Sequence, residues 1–263
     1  MPYIELNRTR LYYDFVPSNI TQEAIERPLL LLHGFLGTPT SDFAAQISHL
    51  LREYTIIAPH LHGHGHSSHR TSYTTAYYRE DVADVIALLD TLQLERVFVL
   101  GFSDGAIVGL LLAALHPDRV IAMALHGAQA VITERDTAAI RAWLLEKPLP
   151  LAWQEQLTLL HGSPYWQSLL PLYVDIQEQL VVEGGILISN EELAHVCCPT
   201  LIMHGIRDRV VAVEYASMLS QYIPGAQLRL FDAGHALHLR YADEYTTTVM
   251  NFFASVLSGG PRV

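Results

Sequence analysis

Residues 97–105 read Val-Phe-Val-Leu-Gly-Phe-Ser-Asp-Gly, and this stretch decides the fold. Its first four residues are apolar, as in a buried strand, and residues 104–116 have the composition of a helix. A Gly-x-Ser-x-Gly pattern lies at the junction. A sharp turn from strand to helix would hold Ser103 in a strained conformation with its hydroxyl exposed. The pattern predicts a nucleophile; the alternative is a glycine-rich turn whose serine caps the helix.

Short apolar runs recur along the rest of the chain and predict seven more strands. They cover residues 3–6, 11–15, 29–32, 54–58, 120–125, 201–203 and 227–231. Segments of helical length separate them, at 41–51, 75–92, 104–116, 213–222 and 243–256. This alternation predicts an α/β fold, with a mostly parallel eight-stranded sheet flanked by helices.

Residues 129–195 break this alternation. The segment contains no clear strand, and its short helical patches are interrupted by Pro148, Pro150, Pro164, Pro171 and Gly184-Gly185. It holds the three tryptophans, Trp143, Trp153 and Trp166, which we expect to bind substrate. We therefore predict a helical lid inserted after strand 6, over a core of residues 1–128 and 196–263. The alternative is a set of connecting helices with a core of their own.

A nucleophilic serine needs a histidine base, and the base needs an acid to orient it. Asp208 follows the predicted strand at 201–203, and His235 follows the strand at 227–231. The carboxyl ends of parallel strands meet at one edge of the sheet, so both side chains would lie near Ser103. The order serine, acid, histidine is also the one used by hydrolases of this architecture. The sequence thus predicts a catalytic triad of Ser103, Asp208 and His235.

Each partner of Ser103 has a rival nearby in the sequence. His238 lies three residues beyond His235, and Asp232 lies three residues before it. Asp232 is better placed to end the last strand than to orient a base. We therefore favour Asp208 and His235.

In the stretch from Leu31 to Gly37, the end of another predicted buried strand is followed by a tight glycine loop. In this architecture such a loop donates one backbone N–H to the oxyanion, and the residue after the nucleophile donates the other. These would be the amides of Phe35 and Asp104. We expect His33 to brace the loop.

The glycine loop at 34–37, the pattern at 101–105 and the strand-end pair of Asp208 and His235 occur in this order over nearly the whole chain. In this respect the chain is similar to the α/β-hydrolase superfamily. The segment Gly63-His64-Gly65-His66-Ser67 resembles a Gly-x-Gly-x-Ser turn of that superfamily. Most members have an aspartate and an arginine just upstream, where this chain has His60 and His62. This difference affects the prediction of how the loop is stabilised, but not the prediction of the triad.

A narrower resemblance rests on the residues around the serine and the histidine. The 101–105 pattern, together with Gly-His-Ala-Leu-His-Leu-Arg-Tyr-Ala-Asp-Glu at 234–244, resembles the biphenyl-hydrolase-like group, which includes valacyclovir hydrolase. The resemblance implies cleavage of α-amino acid esters, with Asp104 holding the substrate ammonium. It fades in the 129–195 segment, and Ala106 stands where a second glycine is usual.

The carboxylate of Asp104 can also be considered by its physics. A buried anion is costly unless it is paired, and here it would lie close to a developing oxyanion. A bound substrate cation would relieve both problems. The alternative is an aspartate satisfied by the amides and dipole of its own helix.

Five histidines between positions 60 and 69 raise a different possibility, a metal site. Two glycines of the superfamily turn lie among them, and neither a carboxylate nor a cysteine joins the cluster. We therefore expect no metal and no cofactor.

Composition narrows the remaining choices. The net charge of −11 disfavours a nucleic-acid partner. The N-terminus lacks a signal-peptide pattern, and no apolar run reaches the roughly 18 residues of a membrane span. The two cysteines are adjacent, and Lys147, the single lysine, lies in a predicted surface turn, which argues against Schiff-base chemistry. We expect a cytoplasmic protein with no membrane partner; the oligomeric state stays open.

Together these features predict a serine hydrolase that cleaves a small-molecule carboxylic ester through an acyl-enzyme, and the narrower resemblance implies that the ester is that of an α-amino acid. Carbon–carbon bond hydrolases, lactonases and cofactor-free perhydrolases use the same triad and stay open as alternatives. A binding protein that retains the scaffold without catalysis is the alternative from another class.

Overall fold

The computed structural model describes residues 2–6, 9–18, 21–22 and 26–259. Its sheet has the strand order β1-β2-β4-β3-β5-β6-β7-β8. The first two strands run antiparallel, and β3 to β8 are parallel. The strands are β1 (Tyr3–Glu5), β2 (Arg10–Val16), β3 (Pro28–Leu32), β4 (Thr55–Pro59), β5 (Val97–Phe102), β6 (Val120–His126), β7 (Thr200–Gly205) and β8 (Gln227–Phe231). The eight-stranded α/β architecture predicted from the sequence is confirmed.

Helices cover both faces of the sheet and also fill the segment between β6 and β7. They are α1 (Pro39–Leu50), α2 (Tyr77–Thr91), α3 (Asp104–Leu115), α4 (Glu134–Leu144), α5 (Leu151–His161), α6 (Tyr165–Val182), α7 (Asn190–Ala194), α8 (Val213–Tyr222), α9 (Leu237–Arg240) and α10 (Ala242–Leu257). One buried apolar cluster joins α2 and α3 to the sheet, and a second joins α1 and α10 to its other face. Among the described helices, none is both long and apolar enough to cross a bilayer.

The segment predicted as a lid, residues 129–195, carries α4 to α7; we refer to it as the helical insertion. Its prolines mostly fall between helices, but Pro171 lies inside α6, where we expected a break. Proline removes one backbone hydrogen bond from a helix. Leu169, Leu170 and Tyr173 are buried around it, and this packing offsets the loss.

The carboxyl ends of the central strands bring the predicted site together. Ser103 follows β5, and the residues after β7 and β8 supply Asp208 and His235. The parallel register of β5 to β8 thus places three distant segments at one edge of the sheet.

Candidate active site

Ser103 lies in a strained turn between β5 and α3. Its backbone has φ 53° and ψ −120°, which L-residues rarely adopt. A Cβ on Gly105 would come within 2.2 Å of the Leu32 carbonyl oxygen, so a side chain there cannot fit. The side chain of Ser103 makes no capping hydrogen bond to α3. The helix-cap alternative is therefore not the arrangement adopted, and the hydroxyl points elsewhere.

That hydroxyl is part of a hydrogen-bonded chain of three side chains. His235 Nε2 lies 3.0 Å from Ser103 Oγ, and His235 Nδ1 lies 2.7 Å from Asp208 Oδ2. The structure therefore brings the three residues of the predicted triad together in the order that proton transfer requires.

Asp208 is held almost completely out of solvent. Its Oδ1 accepts hydrogen bonds from the amides of Val210 (2.8 Å) and Val211 (3.0 Å). Burial opposes ionisation, but the hydrogen bond from His235 and those amides outweigh it and hold the pKa of Asp208 below its ordinary value. A permanent carboxylate therefore faces Nδ1 of the histidine.

The two rival residues have other partners. His238 Nδ1 lies 2.9 Å from His126 Nε2, in a buried pair beneath Phe102. Asp232 is largely exposed, and its carboxylate pairs with Arg207 at 3.0 Å. Neither is hydrogen bonded to Ser103 or His235.

Residues 34–37 form a tight turn beside the serine, closed by a 3.0 Å hydrogen bond from Gly37 N to Gly34 O. The two amides predicted to bind an oxyanion are those of Phe35, in this turn, and Asp104. In the described part of the chain, neither amide donates a hydrogen bond to another group. Both are therefore free to bind an anion at Ser103.

The turn is braced on two sides. The carboxylate of Asp42 accepts a hydrogen bond from Gly34 N at 2.9 Å, and burial raises its pKa to about 6. His33 Nε2 accepts from Leu61 N at 2.9 Å, and its Nδ1 bonds Gly34 O at 2.8 Å. His33 thus braces the loop, as expected.

Asp104 is bound by side chains from outside its own helix. Its Oδ1 accepts hydrogen bonds from the hydroxyls of Tyr78 on α2 (3.0 Å) and Tyr173 on α6 (2.8 Å). Burial raises the pKa of Asp104 to about 6, although these hydroxyls stabilise its charged form. The carboxylate is half-buried and lines a cavity, and at neutral pH it is mostly ionised.

This cavity, of about 350 Å³, opens above Ser103 between the sheet and the helical insertion. Trp143 and Trp153 line it as a stacked pair, with ring centroids 5.5 Å apart. Trp166 does not line it, contrary to our expectation. Its side chain is buried within the insertion, and its indole N–H donates to Thr158 Oγ1 at 3.0 Å.

The histidine cluster at 60–69 is largely engaged with the protein itself. His60 Nδ1 accepts from His66 N at 3.1 Å, and His64 Nδ1 lies 3.3 Å from the carbonyl of His62. Burial lowers the pKa of His60 to about 4, so its neutral form persists. Contrary to the expectation that no carboxylate joins the cluster, His62 lies near two buried carboxylates, Asp81 and Asp84. Arg70 pairs with Asp81 there, so a metal ion would face a guanidinium.

Four residues of the site escaped the sequence analysis: Tyr78, Tyr173, Asp42 and His161. Tyr173 stacks on Phe35 with centroids 3.6 Å apart, and also binds Asp104. His161 binds Leu36 O from 125 residues away. The Ser-Asp-Phe sequence at 41–43, close to the glycine loop, was a signal for Asp42, but nothing in the sequence pointed to the other three.

Comparison with known proteins agrees with this fold. Residues 27–158 match the family model of the alpha/beta hydrolase fold. The chain is 32% identical over 254 residues to the serine hydrolase BPHL of Mus musculus, covering 95% of this chain and 84% of that protein. It is 27% identical over 261 residues to a 2-hydroxymuconate semialdehyde hydrolase of Pseudomonas putida, covering 90% of each.

A solved structure supports the same fold. The enol-lactonase from Burkholderia xenovorans LB400 superposes with a TM-score of 0.74, covering 96% of this chain and 100% of that chain. Its sequence is 24% identical, so the likeness concerns the fold alone.

Proposed function

The chain belongs to the α/β-hydrolase fold family and is a hydrolase, and from this premise we propose that it cleaves esters of α-amino acids through an acyl-enzyme on Ser103. The observation that carries the proposal is the position of Asp104, a half-buried carboxylate in the wall of the cavity, next to the nucleophile.

The charge of the cavity supports a cationic substrate. Its lining contains two carboxylates, Asp42 and Asp104, and within the described residues it contains no lysine or arginine. A substrate ammonium bound at Asp104 would pair a carboxylate that burial otherwise penalises. The stacked Trp143 and Trp153 offer an apolar surface to the rest of the substrate.

The proposed mechanism uses the side chains already described. His235 Nε2 takes the proton of Ser103 as Oγ attacks the ester carbonyl, while Asp208 stabilises the imidazolium. The amides of Phe35 and Asp104 bind the tetrahedral oxyanion. His235 then protonates the leaving alcohol, and the same base activates a water that releases the acid. No cofactor takes part.

The helical insertion has the role of a lid in this proposal. Tyr173 from α6 contacts both Asp104 and Phe35, and Trp143 and Trp153 come from α4 and α5. In this proposal the substrate therefore reaches Ser103 past the helical insertion, which is not part of the core.

We further propose that the protein works in the cytoplasm, consistent with its free cysteines.

An anionic substrate is the alternative that the comparisons raise, because muconate, in the name of the Pseudomonas putida relative, denotes a carboxylate. A carboxylate substrate would meet Asp42 and Asp104 in this cavity with no described cation in its lining to bind it. Electrostatics therefore favours an amine over an acid.

The proposal is tested by comparing phenylalanine methyl ester with its N-acetyl form. We expect the free amine to give a kcat/KM higher by roughly 10- to 100-fold, the size of a charge-assisted hydrogen bond. Asp104→Asn should abolish this preference, since an amide has no charge to offer the ammonium.

The control is Asp118→Asn, which removes an exposed charge in the short 3₁₀ turn after α3. It should leave the preference unchanged. Equal rates for the two esters in the wild-type protein would refute the α-amino acid assignment and leave a general esterase.

The same preference should depend on pH. Protonation of Asp104, with its pKa near 6, removes the charge that binds the ammonium. The kcat/KM ratio of free to acetylated ester should therefore be highest near pH 7 and fall as the pH drops through about 6; it should also fall on the alkaline side, where the substrate ammonium loses its proton. Burial also raises the pKa of Asp42 to about 6, so the fall of the ratio is assigned to Asp104 only if it disappears in Asp104→Asn. A ratio that stays constant from pH 7 to about 5 would contradict the role of Asp104.

A further inference from the structure

A buried histidine of the helical insertion lies against the turn that carries Phe35. His161, the last residue of α5, is 4% exposed. Its Nδ1 accepts a hydrogen bond from Gly65 N at 2.8 Å, and its Nε2 lies 2.9 Å from Leu36 O. A backbone amide can only donate a hydrogen bond, so Nδ1 is unprotonated and accepts it. Nε2 therefore carries the ring proton and donates a hydrogen bond to the Leu36 carbonyl. The neutral ring, in a single tautomer, thus joins the end of α5 to two loops.

Leu36 is a residue that needs such support. It has φ 60°, in the left-handed region that favours glycine, and it is not a glycine. It is one of the two central residues of the 34–37 turn, and Phe35 is the other. A turn of this shape normally carries glycine at the position of Leu36. Asp42 and His33 hold the turn at Gly34, and the hydrogen bond from His161 holds it at the Leu36 carbonyl, on the other side of Phe35.

We propose that His161 is a positioning residue for the oxyanion hole: by holding the Leu36 carbonyl it keeps the Phe35 amide in place to bind the developing negative charge. This inference rests on the proposed function, in that it takes the Phe35 amide as an oxyanion donor. Efficient catalysis at Ser103 then requires that the helical insertion is packed correctly against the 34–37 turn. His161 itself touches no reacting atom.

The two ring nitrogens allow a matched pair of variants. In His161→Gln the side-chain amide N–H reaches the position of Nε2 and can still donate to Leu36 O, while the contact with Gly65 is lost. In His161→Asn the side-chain oxygen lies near the position of Nδ1 and can still accept from Gly65 N, while the contact with Leu36 is lost. Each variant removes one hydrogen bond of the same buried side chain.

The probe is p-nitrophenyl acetate, an ester without an amine, so the result does not depend on Asp104. We expect His161→Asn to lower kcat by about 10- to 100-fold with little change in KM, because a displaced oxyanion donor acts in the transition state. A boronic acid that forms a tetrahedral adduct with the serine should bind more weakly by a similar factor. His161→Gln should keep kcat within about threefold of wild type.

Tyr165→Phe controls for general loosening of the insertion. The Tyr165 hydroxyl donates to Gly63 O at 2.9 Å and accepts from Arg70 N at 2.8 Å, close to His161 but away from the 34–37 turn. Its loss should lower thermal stability and leave kcat unchanged. Hydrogen exchange should show faster exchange in the 34–37 turn for His161→Asn only.

Equal losses of kcat in the Asn and Gln variants, or an effect on KM alone, would overturn the proposal. If the wild-type protein hydrolysed acetylated and free amino esters alike, the proposed substrate class would be refuted. The difference in kcat between His161→Asn and His161→Gln would still test the role of His161, because p-nitrophenyl acetate has no amine.

Discussion

Replacing Ser103 with alanine should lower kcat for ester hydrolysis by roughly 10⁴- to 10⁶-fold, the loss typical of a removed serine nucleophile. Ser103 Oγ lies 3.0 Å from His235 Nε2, and we propose that it is the atom that carries the acyl group. Alanine has the same backbone restriction at φ 53°, so the strained turn should form as before. The measurement is steady-state hydrolysis of p-nitrophenyl acetate, together with thermal unfolding.

Ser220→Ala is the control, because it removes a hydroxyl that donates only to the nearby Ser217 carbonyl at 2.8 Å on α8. Its activity should equal that of the wild type. Substantial ester turnover by folded Ser103→Ala protein would show that another residue or a bound water is the nucleophile.

Replacing Asp208 with asparagine should lower kcat by roughly 10³- to 10⁴-fold without unfolding the protein. The amides of Val210 and Val211 point at Oδ1, so the oxygen of the asparagine must occupy that position. Its NH₂ group then faces His235 Nδ1, where the carboxylate Oδ2 now accepts a hydrogen bond at 2.7 Å. His235 can only accept this new bond at Nδ1, which leaves the proton on Nε2. The histidine is then in the wrong tautomer to take the proton of Ser103.

Asp232→Asn provides the matched control for this prediction. Asp232 belongs to the same edge of the sheet and is the rival acid in sequence, but its exposed pair with Arg207 contributes little to stability. Its activity should stay close to that of the wild type. If both variants retained activity, or if Asp232→Asn were the inactive one, the assignment of Asp208 would be wrong.

The part of the fold that could be predicted is the part that depends on local patterns. Continuous apolar runs such as Leu29–Leu32 are buried because both faces of a parallel strand are covered. The glycine pattern around Ser103 was informative because only glycine fits against the Leu32 carbonyl. Asp208 and His235 followed from their positions at strand ends, since a parallel sheet brings these ends to one edge.

The helical insertion could not be predicted to the same depth. Trp143, Trp153 and Trp166 are alike in sequence, and which of them reaches the cavity depends on how α4, α5 and α6 pack on one another. The same is true of Tyr173, whose contacts with Phe35 and Asp104 cross 69 residues or more. Local periodicity contains no information on such contacts, and Pro171 suggested a break where packing maintains a helix.

Asp104 shows how the two kinds of information combine. The sequence left its role open between a helix-terminal aspartate and an ammonium site. The structure shows Tyr78 and Tyr173 bound to one of its oxygens and places the carboxylate in the wall of the cavity. These tyrosines orient the carboxylate and leave its charge available, and this arrangement is the basis of the substrate class that we propose.

The claim that underlies every step is that Ser103 is the activated nucleophile, and labelling with a fluorophosphonate tests it most directly. We predict stoichiometric reaction of the native protein, with the label recovered on the peptide that contains Ser103 and lost in Asp208→Asn. A native protein that resists the probe, or that carries the label on another residue, would contradict the account.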